Sequence, residues 1–509
     1  MPNQHKPLPP EDVIRAPLIK YYNLSLKDED IAEHLKTHYD TTQYGCSAAS
    51  IRRLRKDWGL LKTRAQKHTP DTIRPYVVEI KKKFPNRGIS TIRKNLALEY
   101  GIRASELTVK KLLKEIEPEA MKQRKGKKFH RTKFYAAGIN DCWAQDQHDK
   151  WGPRFGLWLH NSIDPFIGFN NWLRVWWTNK NPRLIVKYYL DACRELGGIP
   201  MFSQSDPGNE NNGVANAQTI MRQMLDLTLV GTLQHRWKTK KNNVKSEANW
   251  SVMRGDLAPG LEDLFELGVQ NGWYDVGNPI EYLVFRWIAI PFVQIQLDLW
   301  VQLRNQTKPR ADKHKITPHG IPALLRAKPE FYNLHDFKVS VPTEIFDKME
   351  AEFAPPDHEV FQLVPPEFDH WANIYYAEMG QPKVTHDTFW NVYCQLLSYF
   401  NRVPDIEAEL HIPLSSLNET TERIDDEHIN ILSDQQPLRR VADPRAGASS
   451  QMVAGSSQAS SASEGAGILY GVAEYGNFPS SDEEGSGGEE SSSDDDDGAS
   501  KASGEDDMD

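Results

Sequence analysis

Residues 201–218, MFSQSDPGNENNGVANAQ, and residues 232–250, TLQHRWKTKKNNVKSEANW, decide how this chain is read. A short apolar run ends in Asp206, a turn rich in Asn and Gly follows, and Glu247 stands 41 positions further on in a segment of helical pattern. Two carboxylates therefore fall at boundaries between elements. A third, Asp146, lies inside the aromatic run CWAQDQHDKWG (142–152), where a carboxylate is costly to bury unless it is paired or holds a cation.

Outward from these carboxylates the pattern is regular. CWAQDQ (142–147), RFGLWLHNSID (154–164) and FNNWLRVWWT (169–178) read as three strands, with turn signals at 149–153 and 165–168. PRLIVKYYLDACRELGG reads as a helix with Pro182 at its start and Gly197 at its end. PMFSQSD is a fourth strand, ANAQTIMRQMLDLTL a second helix, TLQHRW a fifth strand and VKSEANWSVMR a third helix. Further on, 260–306 reads as two helices, the second long and apolar and expected to pack on the core. Residues 311–332 look like an irregular arm, and 342–400 is helical, broken by Pro355, Pro356, Pro365 and Pro366.

The front of the chain is helical and basic. Ser25 is placed to cap a helix carrying Ile31, Leu35 and Tyr39. Ser47 is placed to cap a second, SAASIRRLRKDWGL, in which Arg52, Arg53, Arg55 and Lys56 surround Ile51, Leu54 and Trp58. That is the pattern of a recognition helix, and equally of a surface helix with solvated charges. From Asp71 to Glu117 a second unit is expected to turn Leu107, Val109, Leu112, Leu113 and Ile116 inward and Lys110, Lys111 and Lys114 outward. MKQRKGKKFHRTKF (121–134) follows as a basic linker.

Composition bounds the rest. A chain of 509 residues accommodates about three domains. Its four cysteines are scattered and form no CxxC pair, which excludes a disulfide framework or a zinc knuckle and implies a reducing compartment. No signal sequence is visible, no stretch reaches the roughly 20 apolar residues of a membrane span, and no membrane association is expected. The net charge of −9 averages opposite segments: residues 51–136 carry 25 Lys/Arg against 8 Asp/Glu, whereas 447–509 carry 15 acidic residues against Lys501. The basic part suits a polyanion partner. The Ser/Gly-rich acidic tail lacks the apolar surface to fold.

The element order β-β-β-α-β-α-β-α is that of a ribonuclease H-like fold. The phrases around Asp146 (W-x-x-D-x-x-x-K), Asp164 (S-I-D-P-F), Asp206 (S-D-P-G-N-E-N) and Glu247 (S-E-A-N-W) resemble the integrase core family of DDE recombinases, in particular eukaryotic, many of them fungal, integrase-core proteins allied to DNA transposons. The resemblance covers about residues 140–330. It implies an α/β core with a mixed five-stranded sheet and flanking helices; the residues before it read as helix-turn-helix regions at 1–66 and 67–120 and a basic linker at 121–139. A helical region at 331–433 of unassigned role and a disordered acidic tail at 434–509 would follow. The chain departs from the family in lacking the His/His/Cys/Cys zinc module. The spacing from Asp206 to Glu247 is also longer than in retroviral-type cores, which leaves Glu210 as a rival ligand.

In that family Asp146, Asp206 and Glu247 would be the catalytic, metal-holding set, with Mg²⁺ or Mn²⁺, two ions, and no small-molecule cofactor. Phosphodiester chemistry needs an activated oxygen nucleophile, a stabilised leaving oxygen and neutralised phosphate charge; a pair of hard cations on carboxylates meets all three needs. Lys238, Lys240, Lys241, Lys245 and Arg254 would grip phosphates near the scissile bond, while Arg52, Arg53, Arg55, Lys56, Lys110 and Lys111 would hold DNA further off. His148, His235, Asp149, Asp164 and Trp250 read as structural. The expected function is DNA cleavage and strand transfer in the nucleus by a homo-oligomer. The competing readings are a domesticated DNA- or chromatin-binding protein without catalysis, and a ribonuclease H-like nuclease.

Overall fold

Alternation of large apolar with polar side chains drives five segments from the middle of the chain into one sheet. In the computed structural model, which describes residues 6–123, 130–238, 243–309, 318–410, 414, 417–438 and 471–477, these strands are β1 (Cys142–His148), β2 (Trp158–Asp164), β3 (Phe169–Trp176), β4 (Phe202–Ser205) and β5 (His235–Trp237). They lie in the order β3-β2-β1-β4-β5. The first three run antiparallel, β4 pairs parallel to β1, and β5 pairs parallel to β4. Parallel pairing needs crossovers, and helices α1 (Pro182–Leu196) and α2 (Asn212–Leu225) supply them. Three further helices follow: α3 (Val244–Asp256), α4 (Ala258–Gln270) and α5 (Pro279–Asn305).

Local chemistry sets the ends of these elements. The Asn181 side chain accepts from the Arg183 N–H at the start of α1, Pro182 fits its first turn, and Gly197 at φ +67° ends it. Nearly all of β2 is buried, as expected of an inner strand covered on both faces. On one face Trp143 and Trp172 pack with Ile185 and Tyr189 of α1, Met221 of α2 and Phe346 of the helix Thr343–Phe353. On the other, Leu159, Leu173 and Val175 lie in one apolar core with Trp250, Leu261 and Phe285 from α3, α4 and α5. Gln294 of α5 docks that helix on β3, accepting from the Val175 N–H at 3.1 Å and donating to the Leu173 carbonyl at 3.0 Å.

α5 corrects one expectation. At 27 residues and a mean hydropathy of 1.3 in its apolar window, it is long and apolar enough to cross a membrane; 61% of that window is buried inside the protein. Counting unbroken apolar residues missed it because Arg286, Gln294, Gln296 and Asp298 interrupt the run.

The front of the chain forms the helices Glu11–Asn23, Asp28–Leu35 and Ala48–Asp57, then Pro70–Lys83, Ile89–Tyr100 and Glu106–Ile116. The first of these was hidden by its Pro-rich start. The second begins at Asp28, while Ser25, expected to cap it, stands at φ 61° before it. Ser47 does cap the third, accepting from the Ser50 N–H. Val109, Leu112 and Leu113 turn inward as expected, but Leu107 is 61% exposed and Ile116 37%. With one apolar stripe already filled by Val109, Leu112 and Leu113, these two positions fall on its flanks. The second group of helices shares the core of α3–α5, since Val77, Ile80, Phe84, Ile92 and Leu96 belong to the same apolar cluster.

Two segments differ from their compositional reading. Within the basic linker His130–Ala136 is a strand, and it pairs antiparallel with Gly471–Asn477 from the tail expected to stay unfolded. The local run ILYGVAEYGNF, richer in apolar residues than the acidic stretches beside it, accounts for the difference. The arm after α5 contains a short helix, Pro322–Ala327.

An ion pair, buried on its arginine side, joins the front helices to α3. Arg87, 2% exposed, donates from Nε and Nη2 to the two carboxylate oxygens of Asp256 at 2.9 and 3.0 Å, and from Nη1 to Asn95 at 2.5 Å. Its guanidinium lies 3.3 Å from the centre of the Phe84 ring, and Asp256 also accepts from the Trp300 indole at 3.0 Å. Arg87→Ala removes the forked pair and the hydrogen bond to the buried Asn95, so urea unfolding should show a loss of about 1–3 kcal/mol; an unchanged stability would contradict this role for the pair.

Candidate active site

Strand register brings the first two carboxylates level. Cys142, Trp143 and Ala144 of β1 pair with Phe202, Ser203 and Gln204 of β4. Continued by two residues, the same register sets Asp206, just past the end of β4, beside Asp146. The Asp206 carbonyl accepts from Ser205 Oγ at 2.9 Å and Asn211 Nδ2 at 3.3 Å, which fixes the turn while leaving the residue exposed. Glu210, the rival ligand, accepts from Asn211 Nδ2 at 2.8 Å and so supports the turn.

Glu247 sits in the first turn of α3, partly buried. Asn243, fully buried at the head of the helix, sets its position: Nδ2 donates to the Gln145 carbonyl at 2.8 Å, and Oδ1 accepts from Gln204 Nε2 at 3.2 Å. Gln145 precedes Asp146 by one residue and Gln204 precedes Asp206 by two. One side chain thus references the helix to both carboxylate-bearing strands. Further along α3, Asn249 donates to Asn170 Oδ1 at 2.7 Å. Asn170 is available because the register between β2 and β3 shifts at Ser162/Ile163, so that Asn170 rather than Asn171 opposes Ile163. Asn305 of α5 braces Asn170, accepting from its N–H at 2.8 Å and donating to its carbonyl at 2.9 Å.

The electrostatics link the three acids. Burial pushes the Asp146 carboxyl well above the ordinary carboxylate range, and the negative charges of Asp206 and Glu247 push it further. The Gln147 N–H, donating to it at 3.0 Å, acts the other way, as does the Trp250 indole N–H, which lies near without reaching regular hydrogen-bond geometry. Burial also raises Asp206. Among the described residues no three His, Cys, Asp or Glu side chains stand close enough to enclose an ion as they are. The charges of Asp206 and Glu247 both act on the Asp146 carboxyl. The hard oxygen donors of the three acids, in a region already too negative for Asp146 to ionise readily, fit a divalent cation of the Mg²⁺ or Mn²⁺ kind.

The neighbouring histidines are structural. His235 is 1% exposed, with ring nitrogens 2.8 and 3.1 Å from Ser203 Oγ and Ser205 Oγ, and burial pulls its pKa down to about 3. His148 is held at about 4 by burial, then by Arg254 and Lys150, and packs 5.2 Å from Trp250. Asp164, 1% exposed, accepts the Asn140 and Phe166 N–H groups at 2.8 and 2.9 Å, and Asp149 accepts from Asn179 at 2.7 Å.

The basic residues divide. Arg52, Arg53, Lys56, Lys110 and Lys111 are exposed. Arg55 is not: it is 4% exposed and forked onto Asp28 at 2.9 and 3.1 Å, a structural pair that removes it from any external surface. Helical periodicity put it on the charged side because Asp28, 27 positions earlier, could not be seen to meet it. Lys245 is likewise 3% exposed and cannot grip an external phosphate. Lys238 and Arg254 are partly exposed, and Lys240 and Lys241 lie outside the described residues. Asn243, Asn170 and Asn249 escaped the sequence reading; only Asn243, a favoured capping residue ahead of a helix, left a signal.

No family model matches the chain, and no curated protein is significantly similar to it.

Two outcomes follow from the site. The native Asp146 pKa is raised, so the stability tied to this group is complete below the ordinary value of 3.8 and is lost as pH rises toward the elevated one. Without divalent cations, Asp146→Asn should therefore raise Tm at pH 8, by about 2 °C or more, with the gain fading near pH 4; a lowered Tm at pH 8 would refute the repulsion. Asn243→Ala should cost about 1–3 kcal/mol in chemical unfolding, since it strands a buried carbonyl and a buried amide. Unchanged stability would show that α3 is located by other contacts.

Proposed function

We propose that this protein is a DNA-binding, integrase- or transposase-like polynucleotidyl transferase on a ribonuclease H-like core. The observation that carries the reading is the coupling of Asp146, Asp206 and Glu247 on a mixed sheet of order β3-β2-β1-β4-β5. One acid lies on the central strand, one at the end of its parallel neighbour, and one on the helix after the edge strand. The phrases around these residues, similar to those of DDE integrase cores, support the same reading.

In this proposal the carboxylates hold divalent cations, which supply charge neutralisation at phosphorus and activation of an oxygen nucleophile. Asp146, whose carboxyl feels the charge of both other acids, would hold the cation together with Asp206 and Glu247. The low pKa of His148 keeps it neutral and leaves the charge at the site to the acids. Exposed Arg52, Arg53, Lys56, Lys110 and Lys111 give the front helices a surface for DNA phosphates.

Full-length protein incubated with labelled duplex DNA, including sequence flanking its own gene, should cleave or join strands only with Mg²⁺ or Mn²⁺. Asp146→Asn, Asp206→Asn and Glu247→Gln should each lower the rate by roughly a hundredfold or more. Activity surviving all three substitutions would overturn the site. No cation-dependent activity in the wild type would overturn the function.

A further inference from the structure

The residue directly opposite Asp146 on β2 is Asn161. Opposed residues of an antiparallel pair project from the same face, with Cβ atoms about 4.5–5.5 Å apart. Asn161 is 0% exposed, yet neither its Oδ1 nor its Nδ2 has a hydrogen-bond partner. The helix that carries Glu247 packs over β1 and β2 on this face.

An unmet buried amide is a standing cost that a leucine of similar size would remove. On this face of β1 and β2, Ala144, Leu159 and Ile163 are apolar and His148 packs against Trp250, so the amide opposite Asp146 is one of only two polar side chains besides that acid in a largely apolar layer. Hard divalent cations accept Asn carbonyl oxygens alongside carboxylates. A neutral donor adds an oxygen without adding to the repulsion among three acids.

We propose that Asn161 is part of the cation site, its Oδ1 a neutral oxygen donor to the bound cation or a water it carries, and its Nδ2 a donor that orients the Asp146 carboxylate. This rests on the cation-dependent reading given above. It extends the site to a strand that carries none of the three acids.

Mn²⁺ titration of the full chain, followed by loss of the free-ion electron paramagnetic resonance signal, tests it. Asn161→Leu should weaken Mn²⁺ binding about 10- to 100-fold, with circular dichroism like the wild type and a cation-free Tm equal or higher. Asn161→Asp should bind at least as tightly as the wild type. If Asn161→Leu does not fold, Asn161→Asp decides: binding weaker than the wild type overturns the proposal. Wild-type affinity in Asn161→Leu, with Asp146→Asn weakened, overturns the part of Asn161 alone. Absent Mn²⁺ binding in the wild type, or binding indifferent to Asp146→Asn, overturns the cation site and Asn161 with it.

Discussion

Three like charges at one end of a sheet repel one another, and much of the surrounding structure holds them together against that repulsion. Two are set by the register between neighbouring parallel strands, which no side chain can easily change. The third rides on a helix, and a helix is free to slide unless something stops it. α3 is fastened at its head by Asn243, in its middle by Asn249 and at its end by Asp256. Each fastening is buried or nearly so, where a hydrogen bond is harder to exchange for water and a missing partner is penalised.

The mixed five-stranded sheet and the helices around it are legible in the chain because they depend on periodicity and turn chemistry. Pro182 and Gly197 bracket α1 in the sequence as they do in space. What periodicity cannot report is the partner of a polar residue. Arg55 looks like its neighbours Arg52, Arg53 and Lys56 until Asp28 is seen to meet it, and Lys245 looks like part of a basic loop until its burial is known. The register shift that exposes Asn170 to Asn249 has no sequence signature either, since NN within a strand reads as a mild interruption.

For the candidate site, Asp146 is legible because an acid in an aromatic strand breaks a local rule, whereas Asp206 and Glu247 stand out only by their places at element boundaries. The amides that position them are not. Asn243, Asn249 and Asn170 each look like ordinary polar residues, and asparagine is common in turns and at helix starts. Their part emerges only from which backbone carbonyls and which amides stand within reach once the strands are paired.

The Arg87 to Asp256 contact has a geometric consequence. It joins the end of the Glu247 helix to the helical pair that flanks Arg87, with no flexible spacer between them. If those front helices grasp a duplex, the separation between the stretch they grip and the acids is set by a stiff strut and not by a tether. The protein would then work as a ruler, measuring a fixed interval along the DNA. Lengthening or softening that strut would blur the interval before it weakened the grip.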